Sequence, residues 1–68
     1  MQDVVKIGTK LRRERIAQTM TQVELAEKAG ISPAALVRIE RNESDPHVST
    51  IRKVADALGV APRDLMED

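Results

Sequence analysis

Cysteine, phenylalanine, tyrosine and tryptophan are all absent from this chain of 68 residues. Without cysteine there is no disulfide framework and no thiolate metal site, which fits a reducing compartment such as the cytoplasm. Without aromatic rings the core must be built from Leu, Ile, Val, Ala and Met. The base-stacking platforms of single-strand and RNA binders cannot be made either. No apolar run approaches the roughly 20 residues of a membrane span, and no signal-peptide pattern opens the chain, so no membrane role is expected. Catalytic constellations are missing too. His47 stands alone in a polar loop, and Asp64, Glu67 and Asp68 sit in a short acidic terminus with no loop to hold an ion. Neither enzyme activity, nor a cofactor, nor a metal is expected.

The length suits one domain, residues 1–68, near the lower size at which a single hydrophobic core suffices. Formal net charge is zero, but the charges are unevenly placed. Residues 1–20 carry Lys6, Lys10, Arg12, Arg13 and Arg15 against Asp3 and Glu14, whereas the last ten carry Arg63 against Asp64, Glu67 and Asp68. The local field, not the sum, steers a charged partner, so a basic beginning is compatible with a polyanion.

Helix signals recur along the chain and strand alternation does not. Val4, Ile7 and Leu11 step by three and four residues, predicting a first helix from about Asp3 to Gln18. Thr21 with Glu24 three residues on forms a capping box that opens a second helix, with Leu25, Ala26 and Ala29 inward and Gly30 as its stop. Ser32 caps a third helix with Pro33 in its first position, and Asn42 can take the left-handed conformation that ends it. After a polar connection, a fourth helix turns Val48, Ile51, Val54, Ala55 and Leu58 inward and stops at Gly59. Val60 and a last short turn from Pro62, carrying Leu65 and Met66, complete an all-α bundle of five short helices.

The joint between helices two and three carries the most information. A glycine stop, one apolar residue and a serine cap force a sharp corner of the helix-turn-helix kind, whose second helix can enter a DNA major groove. The same corner also occurs in bundles with no such role. On a helical wheel Ala35, Leu36 and Ile39 face Leu25, Ala26 and the fourth helix, which leaves Pro33, Ala34, Val37, Arg38 and Arg41 outward with no acid among them. Small apolar groups can meet thymine methyls, and Arg can bridge guanine O6 and N7 or grip phosphate. The plainer alternative is a short helix that tolerates Ala and Val at its surface. Arg15 continues the inward stripe of the first helix, and Glu40 is the carboxylate best placed to pair with it. Otherwise Arg15 snorkels to solvent or reaches a phosphate.

The run from Arg15 through MTQVELAEKAGISPAALVRIERNE resembles the phage-repressor type of helix-turn-helix domain, the lambda-repressor and Cro-like (Xre-like) group. The similar features are Arg15, the Thr21-Gln22 start, the Leu25-Ala26 pair, Gly30, Leu36 and Ile39-Glu40. Pro46, Ile51, Ala55 and the run at 57–60 extend the likeness over nearly the whole chain. The resemblance implies a lambda-repressor-like fold and a regulator of transcription on double-stranded DNA. By that likeness Thr21, Gln22 and Ser32 lie at the DNA, Gln22 contacting phosphate. Pro33, Ala34, Val37 and Arg38 face the bases, and Arg41 and Asn42 lie near the backbone. Pro33 and Ala34 stand where many relatives carry hydrogen-bonding side chains, so readout leans on Arg38, methyl contacts and DNA shape. Asn42 replaces a usual Gly, and Ala61 a common Ser or Thr cap. One copy covers too few bases for tight binding, so a homodimer on a palindromic operator is expected. Val60, Leu65 and Met66 are offered as its seam, with ordinary core closure as the alternative. The competing function is an antitoxin-like or adaptor domain that uses the same face, or the tail, to dock a protein partner.

Overall fold

Most helix boundaries in this chain follow from the residues that stand at them. The structure, a computed structural model, describes residues 6–66. The elements are α1 (Ile7–Ala17), α2 (Gln22–Ala29), α3 (Pro33–Glu40), α4 (Val48–Leu58) and α5 (Pro62–Met66), with no strand among the described residues. At the start of α2 the Glu24 N–H donates to Thr21 Oγ1 at 3.0 Å, and the Thr21 N–H donates to Glu24 Oε1 at 2.8 Å, a reciprocal capping box. At α3 the Ala35 N–H donates to Ser32 Oγ at 3.1 Å. At α5, where Ala61 offers no capping side chain, the Asp64 carboxylate reaches back to accept the Ala61 N–H at 3.0 Å.

The ends of α1 to α4 share one device. Thr19, Gly30, Asn42 and Gly59 all take left-handed backbone, with φ of 56°, 72°, 59° and 71°. The N–H of the following residue then bonds five residues back: Met20 to Arg15, Ile31 to Ala26, Glu43 to Arg38 and Val60 to Ala55, at 3.0–3.1 Å. Asn42 was legible as such a terminator. Thr19 was not, because a β-branched residue is a poor occupant of that region.

Leu11, Leu25, Ala26, Leu36, Ile51, Val54, Ala55, Leu58 and Leu65 form the interior. Ile7, Met20, Ile31 and Val60 close its rim. α2 lies against α3 and α4, while α1 packs on α3, α4 and α5. Ile7, Leu11, Ile39, Ile51, Val54 and Leu65 meet along a seam too tight to hold water.

Three expectations need correction or restriction. The first helix does not start near Asp3: Lys6 is extended (φ −70°, ψ 155°) and offers no side-chain cap. Asp3 and Val4 lie outside the described residues, as do Glu67 and Asp68. Val48, expected inward, is 55% exposed at the first position of α4. Leu65, offered for a dimer seam, is 2% exposed and belongs to the chain's own core, since α5 folds back between α1 and α4. Val60 is half-buried against that core, and only Met66 of the three is well exposed.

Candidate nucleic-acid interface

α3 is held from behind and open in front. Leu36, Ile39 and Glu40 are buried, whereas Ser32, Pro33, Ala34, Arg38, Arg41 and Asn42 are exposed and Val37 is half-buried. The outward set expected from the sequence is therefore exposed apart from half-buried Val37, and Thr21, before α2, is exposed as well. A groove beside α3 is lined by Arg38, Ser44, Asp45 and His47. Asp45 is the one acid in that groove, and none stands among the exposed residues of α3 itself.

Behind the face is a charged centre. Arg15 Nε donates to Glu40 Oε2 at 2.7 Å and Arg15 Nη2 to Glu40 Oε1 at 2.9 Å, a bidentate pair joining α1 to the last turn of α3. Their side chains are only 11% and 2% exposed. Arg15 Nη1 donates to the Met20 carbonyl at 2.8 Å, and Gln22 Nε2 donates to Glu40 Oε1 at 3.1 Å. The Glu40 hydrogen bonds hold the guanidinium above its already high ordinary pKa, against the opposite pull of burial. No buried side-chain nitrogen or oxygen among the described residues lacks a partner.

Two expected contact residues are engaged within the protein. Gln22 is half-buried, its carboxamide turned toward Glu40. Asn42 stays exposed, but its Nδ2 donates to Thr9 Oγ1 at 3.3 Å, toward α1. Two further residues escaped the sequence reading. Gly8 is buried under the end of α3, so close that a Cβ there would lie 2.0 Å from the Ile39 carbonyl oxygen. An isolated glycine inside a helical pattern is the signal that could have found it. Gln18 Nε2 donates to the Leu58 carbonyl at 2.7 Å, tying α1 to the end of α4, and no local pattern announces it. The described residues contain no group of His, Cys, Asp and Glu able to hold a metal, and no helix long and apolar enough to cross a membrane.

Residues 11–65 match the model of a helix-turn-helix family, HTH_3. Over 54 residues the chain is 43% identical to the immunity repressor protein of Bacillus phage phi105, covering 79% of this chain and 38% of that repressor. It is 33% identical over 63 residues to the transcriptional regulator SinR of Bacillus subtilis, covering 91% of this chain and 57% of SinR. SinR has been solved in complex with DNA, and that structure superimposes with a TM-score of 0.86 at 34% identity over 90% of this chain and 98% of that one. The restriction-modification controller protein C.AhdI from Aeromonas hydrophila gives a TM-score of 0.86 at 34% identity, over 90% and 92% of the two chains. The chain thus spans less than two thirds of the length of the phage repressor and of SinR.

Proposed function

The chain belongs to the helix-turn-helix family HTH_3, and on that premise we propose that it is a transcriptional regulator that binds double-stranded DNA sequence-specifically. In this reading α3 lies in the major groove. The observation that carries it is the exposed, acid-free face of Pro33, Ala34, Val37, Arg38 and Arg41 on a helix whose opposite side is anchored by Leu36, Ile39 and the Arg15–Glu40 pair. Arg38 supplies the hydrogen-bonding readout, Pro33, Ala34 and Val37 the methyl contacts, and Arg41 a grip on the backbone. At the start of α2, the Gln22 and Val23 N–H groups precede the first intrahelical bond and can receive a phosphate. SinR, solved with DNA, supports this reading.

Two copies related by a twofold axis would place their α3 helices one turn apart, about 34 Å, on an inverted repeat. With Leu65 committed to the core, Val60 and Met66 remain for the seam. The same reading places the protein in the cytoplasm, with its DNA. Selection from a random duplex library at near-physiological salt tests the proposal. Enrichment of an inverted repeat, bound far more tightly than scrambled duplex, is the expected result. Weak, salt-sensitive binding with no motif would refute it and favour a protein partner. For that second reading the specific observation is Ile16 and Val23, about half exposed at 49% and 51% on α1 and α2.

A further inference from the structure

Arg38 is the one hydrogen-bonding side chain among the residues of α3 assigned to the bases, and its setting is not purely basic. It borders a groove of about 220 Å³ whose apolar lining includes Ala35, Ile39 and Pro46 and whose ionisable residues are Arg38, Asp45 and His47. Asp45 is exposed, and among the described residues neither its carboxylate nor the Arg38 guanidinium holds a hydrogen bond or an ion pair. Charges that border so small a groove fall within the Debye length, about 8 Å at physiological salt, so each feels the other. The arrangement is one-sided. On α3, Arg38 falls on the Ala35–Ile39 side, along the groove, whereas Arg41 falls on the Val37 side and does not line it. An acid at a DNA-facing surface weakens the attraction to phosphate, and this one stands beside the reading arginine.

We propose that Asp45 is a specificity-determining residue that acts through Arg38: it opposes the approach of backbone phosphate to the guanidinium and leaves guanine as the acceptor that Arg38 can take. This rests on the DNA-binding reading above. A lone arginine at a protein surface binds any duplex, because phosphate attracts it whatever the sequence. With Asp45 in the same groove, moving Arg38 onto a phosphate exchanges one anion for another and brings two anions together. Guanine O6 and N7 are uncharged acceptors, so Arg38 can bridge them without that repulsion. Discrimination is a difference of affinities, and a charge that penalises the wrong contact raises it as a bond to the right one does. Arg41, outside the groove, keeps its grip on the backbone.

The test measures the affinity ratio between the duplex enriched by the unaltered protein and a scrambled duplex, for Asp45→Asn alone and combined with Arg38→Ala or Arg41→Ala. Thermal melts establish that each variant is folded at the assay temperature, and Asp45→Ser, equally uncharged, repeats the measurement with a different side chain. Asp45→Asn is expected to tighten scrambled duplex about three- to tenfold and selected duplex less than about twofold, so the ratio narrows. The salt slope on scrambled duplex should steepen by about one, as Arg38 becomes free to neutralise a phosphate. With Arg38→Ala in place, removing the Asp45 charge should leave the remaining ratio unchanged. With Arg41→Ala in place, it should still narrow the ratio. Equal tightening on both duplexes would mean that Asp45 only repels DNA, and narrowing that survives Arg38→Ala would mean that it acts elsewhere. Either result overturns the proposal, as does an unchanged ratio. In all three cases the DNA-binding reading stands, because a selected duplex exists. If the unaltered protein enriches no duplex, the DNA-binding reading fails first and this proposal with it.

Discussion

Replacing Gly8 by alanine adds one methyl group, and the structure assigns it a large effect. The new Cβ would stand 2.0 Å from the Ile39 carbonyl oxygen and 2.6 Å from Asn42 Oδ1. Carbon and oxygen in close non-bonded contact sit about 3.3 Å apart, so relief requires roughly 1.3 Å of separation. Asn42 can swing its side chain away, but Ile39 offers a backbone carbonyl in the last turn of α3, so one helix must move relative to the other. Alanine is worth up to about 1 kcal/mol over glycine inside a helix. Overpacking costs about 1–3 kcal/mol and falls here on backbone, at the upper end of that range. We therefore expect a net loss of about 1–2 kcal/mol, a fall in Tm of roughly 5–15 °C for a domain of this size. Circular dichroism melts of the two proteins measure it directly. A Tm equal to or above that of the unaltered protein would mean that α1 and α3 do not approach as described. A second consequence is functional. Any shift that accommodates the methyl moves the end of α3, and with it Arg41 and the geometry of the Arg15–Glu40 pair.

Four other substitutions test separate parts of the description. Arg15→Met alone leaves Glu40 buried without its charge partner and should cost about 3–5 kcal/mol, whereas Arg15→Met/Glu40→Leu should recover most of that loss in denaturant titrations; equal costs would show that Glu40 is not stranded by the loss of Arg15. The Thr21 N–H, and after it the Thr21 hydroxyl, hold the Glu24 carboxyl below its usual range. Its contribution is therefore complete above the ordinary glutamate pKa and is lost as the pH falls through the lower folded value. The Tm advantage over Glu24→Gln should accordingly shrink below about pH 4, and a pH-independent gap would contradict the capping box. Thr19→Gly relieves a β-branched residue at φ 56° and should gain about 1 kcal/mol, read as a higher denaturant midpoint. Arg38→Ala should flatten base preference in library selection while leaving scrambled-duplex affinity within a few-fold; loss of affinity with preference intact would mean that Arg38 grips backbone instead.

What could be read from the chain beforehand was local chemistry. Thr21 with Glu24, Ser32 with Pro33, and the stops at Gly30, Asn42 and Gly59 each act within a few residues, so their effect on backbone survives whatever packs around them. The inward stripe of α2 and the corner to α3 followed from them. The Arg15–Glu40 contact could be anticipated because a charge on an apolar stripe demands a partner, and the structure places the two side chains together. The failures are all tertiary. Nothing near Val48 tells that it stays exposed, and nothing near Leu65 tells that α5 returns to α1. Gly8 matters because of a carbonyl thirty-one positions away in the chain. Gln22 was expected to face an anion outside. Its tie to Glu40 depends on where α3 ends, and no pattern around residue 22 encodes that.

The return of α5 onto α1 also sets when the protein can begin to work during its own synthesis. α1 leaves the ribosome first, but Leu65, which seals the interior it shares with Leu11, is translated near the last of the described residues. Helices of eight to eleven residues, as α1 to α4 are, do not persist alone in water. A nascent chain halted before Leu65 therefore carries α2 and α3 in sequence while its core stays open along one side. The surface proposed to face DNA therefore forms only once Leu65 has closed the core.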